Sequence, residues 1–419
     1  RVVMDMHVAN YQLVNSVPQN SKIVNAVCPT KMMKAVKNPA EIAGEKIAHI
    51  KDGVALVRFM YWLKQNIQKI PLTERLAAAQ LEAFRGSVSD YMGTSFDPIA
   101  AYGPHGAIVH YSATEETDAR ILTEGFLLLD TGGHYLQGTT DVTRTILLGQ
   151  EATPEEKKYY TAVLCGNLRL AAAKFKKGCS GVALDILARQ PLWDMGCDFN
   201  HGTGHGVGCL LNVHEGPNAI RYRIVAQPDG NVELQPGMIT SDEPGVYLEG
   251  KFGIRLENLL LCVEKEQNEF GQFLGFEALT LAPFERDAID PSQMTQQDKQ
   301  LLEKMYAERR GIVKKAVKAL QTVIANGYRF TEPDSIAEAR RDYQSANSTV
   351  ISFYEECMCP WENGKIVRHC TTGRIYKVYQ AWCRENNHGY ARTAKEFREQ
   401  LAGYLGGMFA DVTTRQKGN

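Results

Sequence analysis

The chain has 419 residues, 44% hydrophobic and 23% charged, with 47 Lys and Arg against 48 Asp and Glu for a net charge of −1. This composition predicts a folded, water-soluble protein of two or three domains. It excludes a membrane span, since no apolar run approaches ~20 residues, and the opening RVVMDMHVAN lacks the basic and apolar regions of a signal peptide.

Asn38-Pro39, followed by Ile47, Ile50, Val54, Leu56, Val57, Met60 and Leu63 near helical spacing, predicts a helix from Ala40 to Ile70, and a second begins around Thr73. Residues 91–149 then read as strand-rich with frequent glycine. Phe126 to Asp130 is an apolar run that stops at a carboxylate, Gly132 and Gly133 break it, and Tyr135 to Leu148 resumes a β-rich stretch through Asp141. The expectation is a hairpin carrying two facing carboxylates.

Helical patterns return from Pro154 to Lys176 and from Ser180 to Pro191, and residues 200–262 are again strand-rich. Three strings there carry chemistry: HGTGHGVGCLLNVHEGP with His201, His205 and His214, then GMITSDEPGVY with Glu243, then FGIRLENLLLCVE with Glu257. Alternation along Gly253 to Leu261 puts Arg255 and Glu257 on one face of a strand and Ile254 and Leu256 on the other. The fold class is α+β, helices layered on inner sheets.

Asp130, Asp141, His205, Glu243 and Glu257 each sit beside apolar or glycine-rich sequence that folding will bury. A buried carboxylate without a partner is costly, and four of them around one imidazole repel unless cations neutralise them. The site therefore calls for divalent metal. The donor set is oxygen-rich and lacks a thiolate, which suits manganese, with cobalt, iron or zinc as alternatives. Arg255 is placed to orient a ligand carboxylate from behind.

Taken singly, a strand histidine is usually a hydrogen-bonded core residue and a glutamate a solvated one. That plainer reading is given to His105 and His134 in glycine-rich loop sequence, and to His7 and His49 as surface residues. The ten cysteines include no CxxC pair and read as reduced thiols of a cytoplasmic protein. Cys357-x-Cys359 and His369-Cys370 match no common zinc spacing.

The strings HGTGHGVG…NVHEGP, DEPGVY and GIRLENLLL resemble the pita-bread metallopeptidases, and among these the X-Pro aminopeptidases (aminopeptidase P), over roughly residues 1 to 305. The resemblance implies a pita-bread catalytic domain over 38–305, preceded by 1–37 as the remnant of an N-terminal creatinase-like domain and linker, with a start that looks truncated. It implies two metal ions bridged by Asp141 and Glu257, Asp130 completing one coordination sphere and His205 with Glu243 the other. Glu243, His110 in AIVHY, and His214 are the implied catalytic residues. His110, His201 and His214 are the implied substrate contacts, with His214 shuttling protons.

The implied reaction is release of the N-terminal residue from peptides with proline second, by attack of a hydroxide held between the metals. Prolidase and methionine aminopeptidase share the five ligands, so a prolidase or broader aminopeptidase is the alternative. The HEGP and DEPG strings and the tail LGFEALTLAPFERDAIDPSQMT favour aminopeptidase P. A homodimer is a further expectation from the relatives.

From Tyr306 to Asn419 there are 18 Lys and Arg against 12 Asp and Glu, a net of +6, leaving −7 for the preceding residues. The strings GIVKKAVKALQTVIANGYRF and IYKVYQAWCREN…KEFREQL resemble the C-terminal region of phage and plasmid DNA primase–helicases over roughly residues 309 to 405. This implies a fusion whose second module is mostly helical and winged-helix-like, with Tyr379, Trp382, Phe397 and Leu401 in its core. Arg374, Lys377, Arg384, Arg392, Lys395 and Arg398 would face nucleic-acid phosphate, although Glu385, Glu396 and Glu399 interrupt them as on an ordinary solvated surface. No GxxxxGK[ST] loop occurs, so helicase and primase activity are not expected. A nucleic-acid-binding protein using the peptidase fold as a scaffold is the competing class, and the complete ligand set argues against it.

Overall fold

The computed structural model describes residues 1–224, 231–305, 348–357, 372–386, 388 and 391–405. The chain divides into two units, Arg1–Gln321 and Thr322–Asn419. No helix among the described residues is long and apolar enough to cross a membrane. The eight cysteines among them are all free, whereas Cys359, His369 and Cys370 lie outside them.

In the first unit, β1 (Val2–Met4), α1 (Tyr11–Ser16), β2 (Ile23–Asn25) and α2 (Pro29–Ala35) come first, with β1 and β2 paired in parallel. Helix α3 (Pro39–Asn66) starts where the sequence says it must. Pro39 gives up only an N–H that the first turn leaves unpaired, Asn38 Oδ1 accepts from the N–H of Ala40 and Glu41, and Glu41 closes a capping box. Thr73 caps α4 (Glu74–Gly86) by accepting the Leu76 N–H on its side chain.

Periodicity locates α3 but misjudges its inner face. Ile50, Val54 and Val57 are exposed, whereas Leu56, Phe59, Met60 and Leu63 are buried together with Glu45, His49, Lys51 and Asp52. His49, expected at the surface, is 3% exposed and its Nδ1 lies 2.8 Å from the Glu45 carbonyl. The cause is tertiary: α3 lies along residues 133–139, whose buried polar groups need partners. Glu45 accepts the Thr139 N–H at 3.2 Å, and Asp52 accepts the Tyr135 hydroxyl at 2.9 Å.

Next come β3 (Tyr91–Thr94), β4 (Ile99–Tyr102), β5 (Phe126–Thr131), β6 (Gly133–Tyr135), β7 (Gly138–Thr139) and β8 (Val142–Leu147), forming the antiparallel sheets β4-β5-β8 and β3-β6-β7. The continuous apolar run of β5 reflects cover on both faces. Phe126 packs with Leu147, Tyr160 and Phe252, while Leu127 and Leu129 pack with Leu56, Phe59 and Ile146. The expected hairpin forms, with Asp130 opposite Thr143 and Thr131 opposite Val142. Between the strands, residues 132–141 fold out as β6 and β7. Gly132 makes this approach feasible, because a Cβ there would overlap the Thr140 carbonyl and the Ser95 hydroxyl.

The second half of this unit repeats the arrangement of helix pair and strands. Helix α5 (Pro154–Ala171) is capped by Thr153 and Glu156. It ends earlier than the helical pattern predicts, because β9 (Lys174–Lys176) instead pairs at a sheet edge, Phe175 opposite Leu274. After α6 (Gly181–Trp193) come β10 (Gly204–His205), β11 (Ala219–Ile220), β12 (Ile239–Asp242), β13 (Gly245–Leu248), β14 (Phe252–Arg255), β15 (Asn258–Asn268) and β16 (Gly271–Ala278). The sheet order is β12-β15-β16-β9, with β13-β14 and β10-β11 as separate pairs. The strand expected through Gly253–Leu261 is interrupted at Leu256 and Glu257, since β14 pairs with β13 and β15 with β12. Arg255 and Glu257 nevertheless both reach Thr143, while Ile254 and Leu256 enter the apolar core.

The described part of the second unit is helical: α7 (Thr349–Cys357), α8 (Thr372–Glu385) and α9 (Ala394–Leu405). Phe353, Tyr379, Trp382, Phe397 and Leu401 form its buried cluster, as expected of the last four.

Gly132→Ala should destabilise the first unit by about 2 kcal/mol or more, the range for forcing extra volume into a packed site. A urea titration monitored by circular dichroism reads this as a lower midpoint; an unchanged midpoint would contradict the close approach described at Gly132.

Candidate metal centre

Five chain segments deliver the candidate ligands. Asp130 comes from β5, Asp141 immediately precedes β8, His205 ends β10, Glu243 follows β12, and Glu257 sits in the break between β14 and β15. One donor atom each from Asp141, His205 and Glu257 lie within 4.8 Å of one another. His205 Nε2 is 3.3 Å from Asp141 Oδ2 and 3.4 Å from Glu243 Oε1. Asp130 borders this group through Arg255, whose Nη2 and Nε donate to its Oδ2 at 2.5 and 3.2 Å.

A second ring of contacts aims these groups. Thr143 Oγ1 donates to Glu257 Oε2 at 2.8 Å, and Ser241 Oγ donates to Glu243 Oε1 at 2.9 Å while accepting the His205 N–H. The Gly206 carbonyl, 2.9 Å from His205 Nδ1, can only accept, so a proton belongs on Nδ1, and Nε2 becomes a lone-pair donor to the cluster once its own proton is displaced.

Asp130 Oδ1, Asp141 Oδ1 and Glu257 Oε1 are buried without a hydrogen-bond partner among the described residues. Orphaned buried oxygens of this kind cost on the order of 1–3 kcal/mol each. Donor atoms of Asp141 and Glu257 lie with the His205 ring in one small cluster, and this oxygen-rich donor set fits a site for divalent cations.

The electrostatics agree. Burial, reinforced by Asp141, Glu243 and Asp130, pushes Glu257 well above the usual carboxyl range. Burial likewise lifts Glu243 to about 7, against the pull of His205. Burial alone would lower His205, but the Asp141 hydrogen bond and the Glu243 and Asp141 charges hold it up at about 9.

The three further histidines are spread around the cluster. The His214 ring is 4.2 Å from that of His205, edge to face. His201 Nε2 is 2.8 Å from the Tyr247 hydroxyl, and burial lowers its pKa to about 4. His110 is exposed at the end of a loop that Glu74 pins from beneath, by accepting from Tyr102 N–H, the Tyr111 hydroxyl and the Ala119 N–H. His105 belongs to that support, 2.9 Å from Glu74 and stacked on Tyr111, and His134 bonds Thr139; neither reaches the cluster.

Tyr247 escaped the sequence reading. Its hydroxyl joins His201 to Arg255, which donates to it at 2.8 Å, so the line His201, Tyr247, Arg255, Asp130 links a substrate-contact candidate to a ligand candidate. The only signal was a hydroxyl on a strand otherwise apolar, in the string DEPGVY already singled out for Glu243.

Residues 44–264 match the model of Metallopeptidase family M24, and residues 272–322 that of the C-terminal region of peptidase_M24. A probable Xaa-Pro aminopeptidase P of Sordaria macrospora is 48% identical over 280 residues, covering 66% of this chain and 45% of that protein. The solved X-prolyl aminopeptidase of Caenorhabditis elegans, described as a cytosolic enzyme with a di-nuclear active site, aligns with a TM-score of 0.66 at 36% identity, over 72% of this chain and 48% of that one. The prolidase of Pyrococcus furiosus aligns with a TM-score of 0.55 at 27% identity, over 67% and 76%. The chain spans about half the length of the curated relatives it matches. The family matches end at residue 322, and none of these relatives supports the primase–helicase resemblance of residues 309–405.

Metal and protons compete for His205 and Glu243, so cation affinity should fall as pH drops through about 9 and then about 7. Calorimetric titration with Mn2+ at pH 7, in buffers of differing ionisation enthalpy, should show about one proton or more released on binding. Binding without proton release would contradict the assignment of His205 as a ligand.

Proposed function

The chain belongs to metallopeptidase family M24 and has its pita-bread fold, and on that premise we propose that it is a dinuclear metallo-aminopeptidase releasing the N-terminal residue of X-Pro peptides. The observation that carries this reading is the convergence of Asp141, His205 and Glu257 within 4.8 Å, amid buried carboxylate oxygens without a hydrogen-bond partner among the described residues. In this reading Asp130, Asp141, His205, Glu243 and Glu257 would hold two divalent ions. Mn2+ is the proposed ion, on the hardness of the donors.

Bound ions supply Lewis acidity toward water and the scissile carbonyl. The rest falls to the chain's own side chains. Glu243 accepts the proton that the attacking water gives up. His214 relays that proton to the proline nitrogen as the C–N bond breaks, so that the leaving group departs as an amine. His110 and His201 hydrogen-bond the substrate. Burial keeps His201 neutral, and Tyr247, pushed up to about 12, remains a hydroxyl that orients it. Arg255 holds Asp130 in place through paired N–H donors.

The name of the Sordaria relative supports proline as the second residue, and the description of the nematode enzyme supports a cytosolic location. The prolidase reading is favoured by the Pyrococcus structure, of which the matched region covers 76%.

Metal-stripped protein should regain hydrolysis of an X-Pro-X tripeptide on addition of Mn2+, with little action on X-Ala-X. Cleavage restricted to X-Pro dipeptides would assign a prolidase instead, and no cleavage of any peptide by Mn2+-loaded protein would overturn the reading. Asp141→Asn and Glu257→Gln should each lower kcat/KM by about a thousandfold or more.

For residues 306–419 the proposed partner is nucleic-acid phosphate. It is supported by the exposure of Arg374, Lys377, Arg384, Arg392, Lys395 and Arg398 around the buried aromatic cluster. Fluorescence anisotropy with a single-stranded oligonucleotide should show binding that weakens steeply between about 50 and 200 mM salt; no binding at the lower salt would remove this proposal.

A further inference from the structure

We propose that Asp185 and Arg189, one turn apart on α6, form a positioning unit that sets His201 and Glu243 relative to each other at the candidate centre. The proposal deepens the aminopeptidase reading and rests on it. Both side chains are wholly buried, and Arg189 Nε donates to Asp185 Oδ2 at 2.6 Å. Among the described residues their hydrogen bonds go to each other and to the loop between α6 and β10, not to the metal-ligand candidates.

That loop is what the pair holds. Arg189 Nη1 donates to Asp198 Oδ1 and to the Phe199 carbonyl, each at 2.7 Å, and its Nη2 donates to the His201 carbonyl at 2.8 Å. The remaining oxygen of Asp185 accepts the Thr203 hydroxyl at 2.6 Å. The guanidinium plane lies 3.8 Å from the Phe199 ring centroid and 4.6 Å from that of Tyr222. The loop is thereby fixed from behind at Phe199, His201 and Thr203.

From the fixed loop, two lines reach the centre. The His201 ring projects to the Tyr247 hydroxyl, and the Thr203 carbonyl accepts the Glu243 N–H at 2.8 Å. The loop continues through Gly202, Gly204 and Gly206, residues with little conformational preference of their own. Its geometry must therefore be imposed from outside.

A fully buried ion pair is weak evidence for stability, because an apolar pair of similar volume often serves as well. What an apolar pair cannot do is hold several acceptors in fixed directions. Lysine could not either, lacking the planar fork that spreads donors over Asp185, Asp198, Phe199 and His201.

The other half of the unit uses the same device. Arg85 of α4 pairs with Asp52 of α3 at 2.7 and 3.2 Å and donates to the Thr131 hydroxyl at 3.0 Å, next to Asp130. In each half a buried Asp–Arg pair on the helices grips a threonine adjoining the segment that carries a ligand candidate.

The test uses the whole chain with Arg189→Lys, which keeps the charge, and Thr203→Val, which keeps the shape and removes one bond. Three readouts are compared with the unsubstituted protein: melting temperature without metal, Mn2+ affinity by calorimetry, and kcat and KM on an X-Pro-X tripeptide. The expected result is a fall in kcat or in Mn2+ affinity of about tenfold or more, the usual cost of losing a group that orients ligands from behind, with KM moving less than kcat. Wild-type kcat and Mn2+ affinity in either folded variant, even with a lower melting temperature, would overturn the proposal by making the pair structural only. Should Arg189→Lys fail to fold, Thr203→Val decides by the same criteria. If the unsubstituted protein cleaves no peptide, the aminopeptidase reading fails, and unchanged Mn2+ affinity in the variants would separately overturn the positioning role.

Discussion

Four carboxylates and one imidazole share a small volume from which water is largely excluded, and the arrangement of the first unit follows from keeping them there. Like charges at this spacing repel, and each carboxylate that loses its hydration must recover it from donors or cations. Arg255 provides for Asp130, Thr143 for Glu257 and Ser241 for Glu243. Three oxygens are left over. Among the described residues no side chain donates to them, which is why the cluster reads as a place for metal rather than as a structural knot.

Holding ligands from five separate segments requires rigid elements beneath each. The two halves of the unit solve this alike, with helices packed on strands and a buried Asp–Arg pair reaching through to a threonine: Asp52, Arg85 and Thr131 in one half, Asp185, Arg189 and Thr203 in the other. The pairs lie on faces of α3, α4 and α6 that a hydrophobic pattern would leave to solvent. Polar residues are inside here because the segments they touch expose backbone and hydroxyl groups that cannot remain unpaired.

Legibility tracked how local the signal was. The starts of α3, α4 and α5 could be read from Asn38-Pro39, Thr73 and Pro154, because helix start signals are settled within four residues. The ligand candidates could be read because a carboxylate or imidazole set in apolar or glycine-rich sequence is conspicuous. His49 could not be placed, nor the exposure of Ile50, Val54 and Val57, since 3.6-residue periodicity gives a helix but not the chemistry of its neighbour. Asp185 and Arg189 resemble any solvated pair four residues apart, and Tyr247 any strand aromatic. The end of α5 and the break at Leu256 and Glu257 were missed because β9, β14 and β15 each answer to a pairing partner distant in sequence.

By itself the sequence determined the α+β class, the helix starts, the hairpin that carries Asp130 and Asp141, and the identity and order of the ligand candidates, since each depends on residues within a few positions of one another. Only the tertiary structure decided which of those groups meet, which oxygens stay unpartnered, which histidine is linked through Tyr247 and Arg255 to Asp130, and which helix faces are inside. These are properties of segments 125 residues apart, as Asp130 and Arg255 are, or farther, and they exist only once the strands have paired and water has been displaced between them.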